Sequence, residues 1–129
     1  MADSAPPEIG SIGWFDLTVP DADNVRDFYA QVVGWKPEAV AMGDYSDYSM
    51  LTPGSNTPVA GVCHARGINT GLPAQWLAYI VVEDVEAAAA RCEGRGGKVL
   101  VRPKALGGGR CCVIQDPAGA VCALYQAKA

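Results

Sequence analysis

WFDLTVPDADNVRDFYAQVVGW, residues 14–35, is the stretch whose reading decides the fold. Its first part alternates with period two. Phe15, Leu17 and Val19 point to one side of a strand, and Trp14, Asp16 and Thr18 to the other. Pro20 stops the strand, because its ring removes a backbone donor. Asp21 then stands where a helix cap belongs, and Asp23 adds negative charge to the first turn. Val25, Phe28, Tyr29 and Val32 recur at helical spacing, and Gly34 closes the helix. A strand feeds a helix, and the strand carries an acid, Asp16, on the face shared with Trp14.

Outward from this stretch, strands are expected at 35–41, 46–52 and 58–64, separated by GD and PGSN turns. The second half repeats the order. QWLAYIVVED (75–84) is an apolar strand ending in a capping acid, Asp84, and VEAAAARCEG is a helix that the glycines at 96–97 stop. KVLVRP, GRCCVIQD and AVCALYQ read as three more strands. A shift of 63 residues places Asp21 on Asp84, Val19 on Val82 and Gly34 on Gly97. The unit is β-α-β-β-β, written twice: about 11–64 and 75–127, joined by a linker at 65–74.

One such unit is a small, half-wet sheet with one helix. Two units can place both helices outside and leave the concave faces opposed, and a cavity between repeated modules is a common ligand site. The expected fold class is therefore α+β: two βαβββ modules forming a cupped mixed β-sheet with helices on the outer face, in a single domain of 129 residues. Net charge is −4 with no basic cluster, so a nucleic-acid partner is not expected. No apolar run is long enough to cross a bilayer, which argues against a membrane partner. MADSAPPEIG has no basic or apolar signal-like region and is read as a flexible lead-in. The five cysteines form no CxxC pair, so free thiols in a reducing, cytoplasmic setting are expected. GGGR and GRGGK lack P-loop spacing between a strand and a helix, so a phosphate loop is rejected.

The chain resembles the glyoxalase / bleomycin-resistance / extradiol-dioxygenase superfamily, the vicinal oxygen chelate proteins. The resemblance rests on WFDLTVPDADNVRDFYAQVVGW, VEDVEAAAARCEGRGGKVL and GRCCVIQDPAGAVCALYQ, which together span nearly the whole chain. It implies paired βαβββ modules, a homodimer, and a site in the cup of the sheet. In metal-dependent members, four strand residues, usually His, Glu or Gln, converge on one divalent ion. The resemblance places those positions here at Trp14, Gly61, Leu77 and Ala123, none of which is a metal ligand. No cofactor is therefore expected.

Within that cup, Asp16 shares a face with Trp14 and is the candidate acid, either for proton transfer or for holding a cationic ligand. Tyr48, Tyr79 and Tyr125 are candidates to line the cup beside Trp14. An aromatic cup with one acid suits a planar or cationic organic ligand. Arg110, after the glycines at 107–109, is a candidate anion contact. His64 is the only histidine. Cys63 is its neighbour on a strand, so the two side chains point apart and form no nucleophile pair. The leading expectation is a metal-free protein that binds a small organic molecule. The alternatives are an enzyme of the same superfamily, using Asp16 or a displaced metal site around Asp16 and His64, and a regulatory dimer that uses the cup for a partner.

Overall fold

A computed structural model describes residues 7–128. Much of the expected lead-in, residues 1–6, lies outside them. The described residues divide into two compact units, one of residues 14–76 and the other of residues 7–13 with 77–128.

The first unit follows the opening stretch closely. Strand β1 (Ile12–Val19) leads to helix α1 (Ala22–Val32), and then to β2 (Lys36–Ala41), β3 (Ser46–Leu51) and β4 (Pro58–His64). The strands lie in the order β2-β3-β4-β1. β2, β3 and β4 are antiparallel neighbours, and β1 runs parallel to β4, with Leu17 opposite Val62 and Val19 opposite His64. Leu17, Val19, Met50 and Val62 are buried with Ala22 of α1. Removing a Leu or Met side chain from water contributes roughly 1.5–3 kcal/mol, so this face holds the helix to the sheet. Tyr29, Trp35 and Trp76 close its rim, with rings 5.2–6.0 Å apart.

The second unit repeats the plan with β5 (Trp76–Val81), α2 (Val85–Gly94), β6 (Lys98–Leu106), β7 (Gly109–Gln115) and β8 (Val121–Gln126), in the order β5-β8-β7-β6. β5 is parallel to β8, and the other pairs are antiparallel. Val85, Ala88 and Ala89 of α2 bury themselves with Cys112 and Leu124. The fold is the expected α+β pairing of βαβββ modules. Between the repeats, the linker holds a single 3-10 turn, Gly67–Asn69. No helix among the described residues is long and apolar enough to cross a membrane.

Turn chemistry explains several junctions. Asp116 of the DPAG segment accepts hydrogen bonds from the N–H groups of Ala118 and Ala120 at 2.8 and 3.0 Å, and Gly119 supplies the positive φ of 95°. The two helix starts differ. Asp84 accepts from the N–H groups of Glu86 and Ala87 at 3.0 and 3.1 Å. Asp21 sits at the cap of α1, but its side chain makes no capping bond. The helix exits also correct the register of the repeat. Gly34 leaves α1 at φ 87°, and its counterpart in conformation is Gly96 at φ 91°, not Gly97. Gly97 is glycine for room, since a Cβ there would lie 2.8 Å from the carbonyl oxygen of Gln115.

Candidate functional site

Leu17, Val19 and Val62 occupy the α1 side of the first unit, so Trp14, Asp16 and Gly61 fall on the opposite side by strand alternation. Asp16 is the register partner of Gly61 across the parallel β1–β4 pair. The Trp14 indole N–H donates to Asp16 Oδ1 at 2.7 Å. Indole nitrogen can only donate and a carboxylate is a strong acceptor, so this bond fixes the orientation of both groups. Gly61 leaves the room they need. A Cβ at 61 would overlap Asp16 Oδ1 and lie 3.3 Å from its Cγ and 3.5 Å from Trp14 Nε1. The result is a half-buried carboxylate held against bare backbone by an aromatic ring.

In the second unit, Ile80 and Val82 pack on the α2 cluster, so Leu77, Tyr79 and Val81 take the other face. Tyr79 is the register partner of Ala123, and Val81 of Tyr125. Leu77 is 1% exposed and Ala123 0%. Tyr79 and Tyr125 are half-buried. Close to the Tyr125 hydroxyl, a Cβ on Gly109 would approach to 2.9 Å.

Tyr48 is not with this group. It is the register partner of Val62 and packs on the α1 cluster. Its hydroxyl donates to Asp23 Oδ1 of α1 at 2.6 Å, and the Arg26 guanidinium lies 4.6 Å above its ring. The Asp23 carboxylate that accepts its proton raises the Tyr48 pKa. Without strand register, nothing in the sequence tells the two faces of β3 apart. His64 faces the α1 side too, as partner of Val19. Asp16 and His64 therefore stand on opposite faces, and no displaced metal site joins them. His64 is a largely buried member of a polar cluster, not a surface residue. Its backbone N–H donates to Asp47 Oδ1 at 2.8 Å, its Nδ1 lies 3.2 Å from the same oxygen, and its Nε2 lies 3.6 Å from Asp23.

Arg110 is engaged within the chain. It pairs with Glu86 at 2.8 Å and reaches the Pro103 carbonyl at 3.4 Å. It also borders a cavity of about 530 Å³ with Glu83, Asp84, Ala87, Arg91 and Gln126. Sequence spacing gave no sign that Arg91 and Arg110, on a helix and a distant strand, share this cavity.

The metal positions that the resemblance supplied do not fit an ion. Leu77 and Ala123 are buried alkyl groups without lone pairs, Gly61 has no side chain, and the Trp14 nitrogen is already donating to Asp16. No cluster of three or more His, Cys, Asp or Glu among the described residues is arranged to hold a metal ion.

Comparison with known proteins agrees with this architecture. The anthracycline biosynthesis protein DnrV of Streptomyces peucetius is 33% identical over 91% of this chain and 47% of its own length. The putative glyoxylase CFP32 of Mycobacterium bovis is 32% identical over 92% of this chain and 46% of its own. The chain thus spans about half the length of the curated relatives it matches. Among solved structures, methylmalonyl-CoA epimerase from Mycobacterium tuberculosis superposes with a TM-score of 0.59 at 15% identity, covering 98% of this chain and 94% of that one. The model of the Glyoxalase/Bleomycin resistance protein/Dioxygenase superfamily matches residues 11–124. With its repeated βαβββ plan and this match over most of its length, the chain belongs to the Glyoxalase/Bleomycin resistance protein/Dioxygenase superfamily.

Proposed function

We propose that the chain binds a small organic molecule without a metal ion, on the sheet face that carries Trp14, Asp16 and Gly61. The observation that carries this reading is the Asp16 carboxylate, half-buried and oriented by the Trp14 indole N–H at 2.7 Å. A fixed carboxylate beside an aromatic ring favours a planar ligand that carries positive charge or a strong hydrogen-bond donor. The resemblance puts metal-ligand positions at Leu77 and Ala123, and the alkyl groups there are packed inside their unit with no donor atom to offer, which supports a reading without a metal. In the second unit, Tyr79 and Tyr125 line the sheet face turned away from α2. The similarity to a protein named for anthracycline biosynthesis makes a polycyclic aromatic compound the natural first probe. A cytoplasmic setting, which the five free cysteines support, and a homodimer, which the family resemblance implies, complete the reading.

The test is calorimetric titration with planar aromatic cations of the N-alkylpyridinium type and with neutral aromatics of the same size. The cation is expected to bind more tightly, and Asp16→Asn to erase the difference while keeping the neutral compound's affinity. Equal affinities for the charged and neutral series, unchanged in Asp16→Asn, would sink the role given to Asp16.

A further inference from the structure

Strand register sets one row of residues across the first unit. Asp16 of β1 is the partner of Gly61 of β4, Gly61 is the partner of Ser49 of β3, and Ser49 is the partner of Glu38 of β2. Tyr48 and Met50, on either side of Ser49, pack on the α1 cluster, so Ser49 turns to the face that carries Trp14 and Asp16. The row has a gap at Gly61. The Asp16 carboxylate leans over it, into the space a Cβ would fill. Side chains directly opposite on antiparallel strands start roughly 4.5–5.5 Å apart, so about 5 Å separates Asp16 Oδ1 from the Ser49 side chain. Ser49 is half-buried, and among the described residues its hydroxyl makes no hydrogen bond within the chain. Ser11, Thr52, Ser55, Thr57 and Thr70, by contrast, spend theirs on their own turns.

We propose that Ser49 is a specificity-determining residue of this face, and that it selects a cation bearing N–H groups: a protonated primary or secondary amine rather than a quaternary one. The inference rests on the binding reading above and names the kind of cation. A single nitrogen between Asp16 and Ser49 donates to both, because two N–H···O bonds of about 2.9 Å each, meeting at a tetrahedral nitrogen, span about 5 Å. The carboxylate offers acceptor sites on both oxygens, so the Trp14 N–H does not exhaust it. The serine hydroxyl accepts the second N–H, and a bond to a charged donor is stronger than a neutral one. Gly61 leaves the nitrogen room to reach both, and Glu38, exposed at the end of the row, adds a second negative charge. A trimethylated nitrogen has no proton for Ser49. It keeps only the attraction of the carboxylate and of the Trp14 ring.

The experiment is calorimetric titration with naphthylmethylammonium and with its N,N,N-trimethyl derivative. Both are run on the unaltered chain, Ser49→Ala, Ser49→Thr and Asp16→Asn, each checked for folding by circular dichroism. Ser49→Ala is expected to weaken the primary ammonium about tenfold, as loss of a hydrogen bond to a charged group does, and to leave the trimethyl compound unchanged. Ser49→Thr keeps a hydroxyl and should keep the primary ammonium's affinity within about threefold, whereas Asp16→Asn should weaken both compounds. If Ser49→Ala changes the two cations equally, or changes neither, the role of Ser49 is overturned. The wider reading survives that result so long as Asp16→Asn still weakens both. No binding of either cation to the unaltered chain overturns Ser49 and the wider reading together.

Discussion

The carboxylate of Asp16 lies in the space that a side chain at position 61 would need. The two residues face each other across β1 and β4, 45 positions apart in sequence but paired by register. Gly61 is thus a packing partner of Asp16, and the indole of Trp14 completes the arrangement.

Gly61→Ala should therefore cost stability through overlap with one oxygen, and overpacking of this kind costs about 1–3 kcal/mol. In an Asp16→Ala background the same change should cost much less, because the overlapping oxygen is gone. Urea unfolding of the parent, both single variants and the double variant measures the coupling, expected to exceed about 0.5 kcal/mol. Additive effects would mean that the carboxylate does not occupy that space.

The two capping acids should behave differently. Asp84→Ala removes an acceptor shared by two backbone N–H groups and is expected to cost about 1 kcal/mol. Asp21→Ala removes no capping bond and should stay within about 0.5 kcal/mol. Thermal unfolding of the two variants side by side checks the contrast.

Cys112 packs against α2, and burial pushes its thiol up to about 11 from 9.0. A pKa raised in the fold means that the fold favours the protonated thiol. Its contribution to stability is complete below pH 9 and is lost as pH rises from 9 towards 11. Cys112→Ala should remove that part of the alkaline loss of stability. Only thiolate reacts, so Cys112 should resist alkylation at pH 8 in the folded chain and react promptly in urea. Mass spectrometry of alkylated peptides reads this directly. Fast native labelling would contradict the burial.

Incubation with Zn, Ni, Mn or Fe(II) salts, followed by desalting, should leave no near-stoichiometric metal on the protein. Gly61, Leu77 and Ala123 offer no donor atom, and the Trp14 nitrogen offers none to a cation. Retention of one equivalent, measured by elemental analysis, would revive a metal-dependent reading.

Much of the architecture was legible because strand and helix periods are local. The alternation in 12–19 and the helical spacing in 22–32 each appear within one segment, and the 63-residue shift exposed the repeat. The face shared by Trp14 and Asp16 followed from the same parity. Tyr48 escaped this logic. Parity says that neighbours alternate, but only pairing with Val62 says which face of β3 meets the helix. His64 escaped for a similar reason, since Asp23 and Asp47 reach it from two other elements.

By itself, then, the amino-acid order determined the elements and their repeated succession, because those follow from residue type and short-range period. Only the tertiary structure decided which residues became neighbours. The fit of Asp16 over Gly61, the place of Ser49 beside it and the Asp23–His64–Asp47 cluster all depend on register and packing. Those are set by long-range burial and hydrogen bonding, which no local pattern encodes.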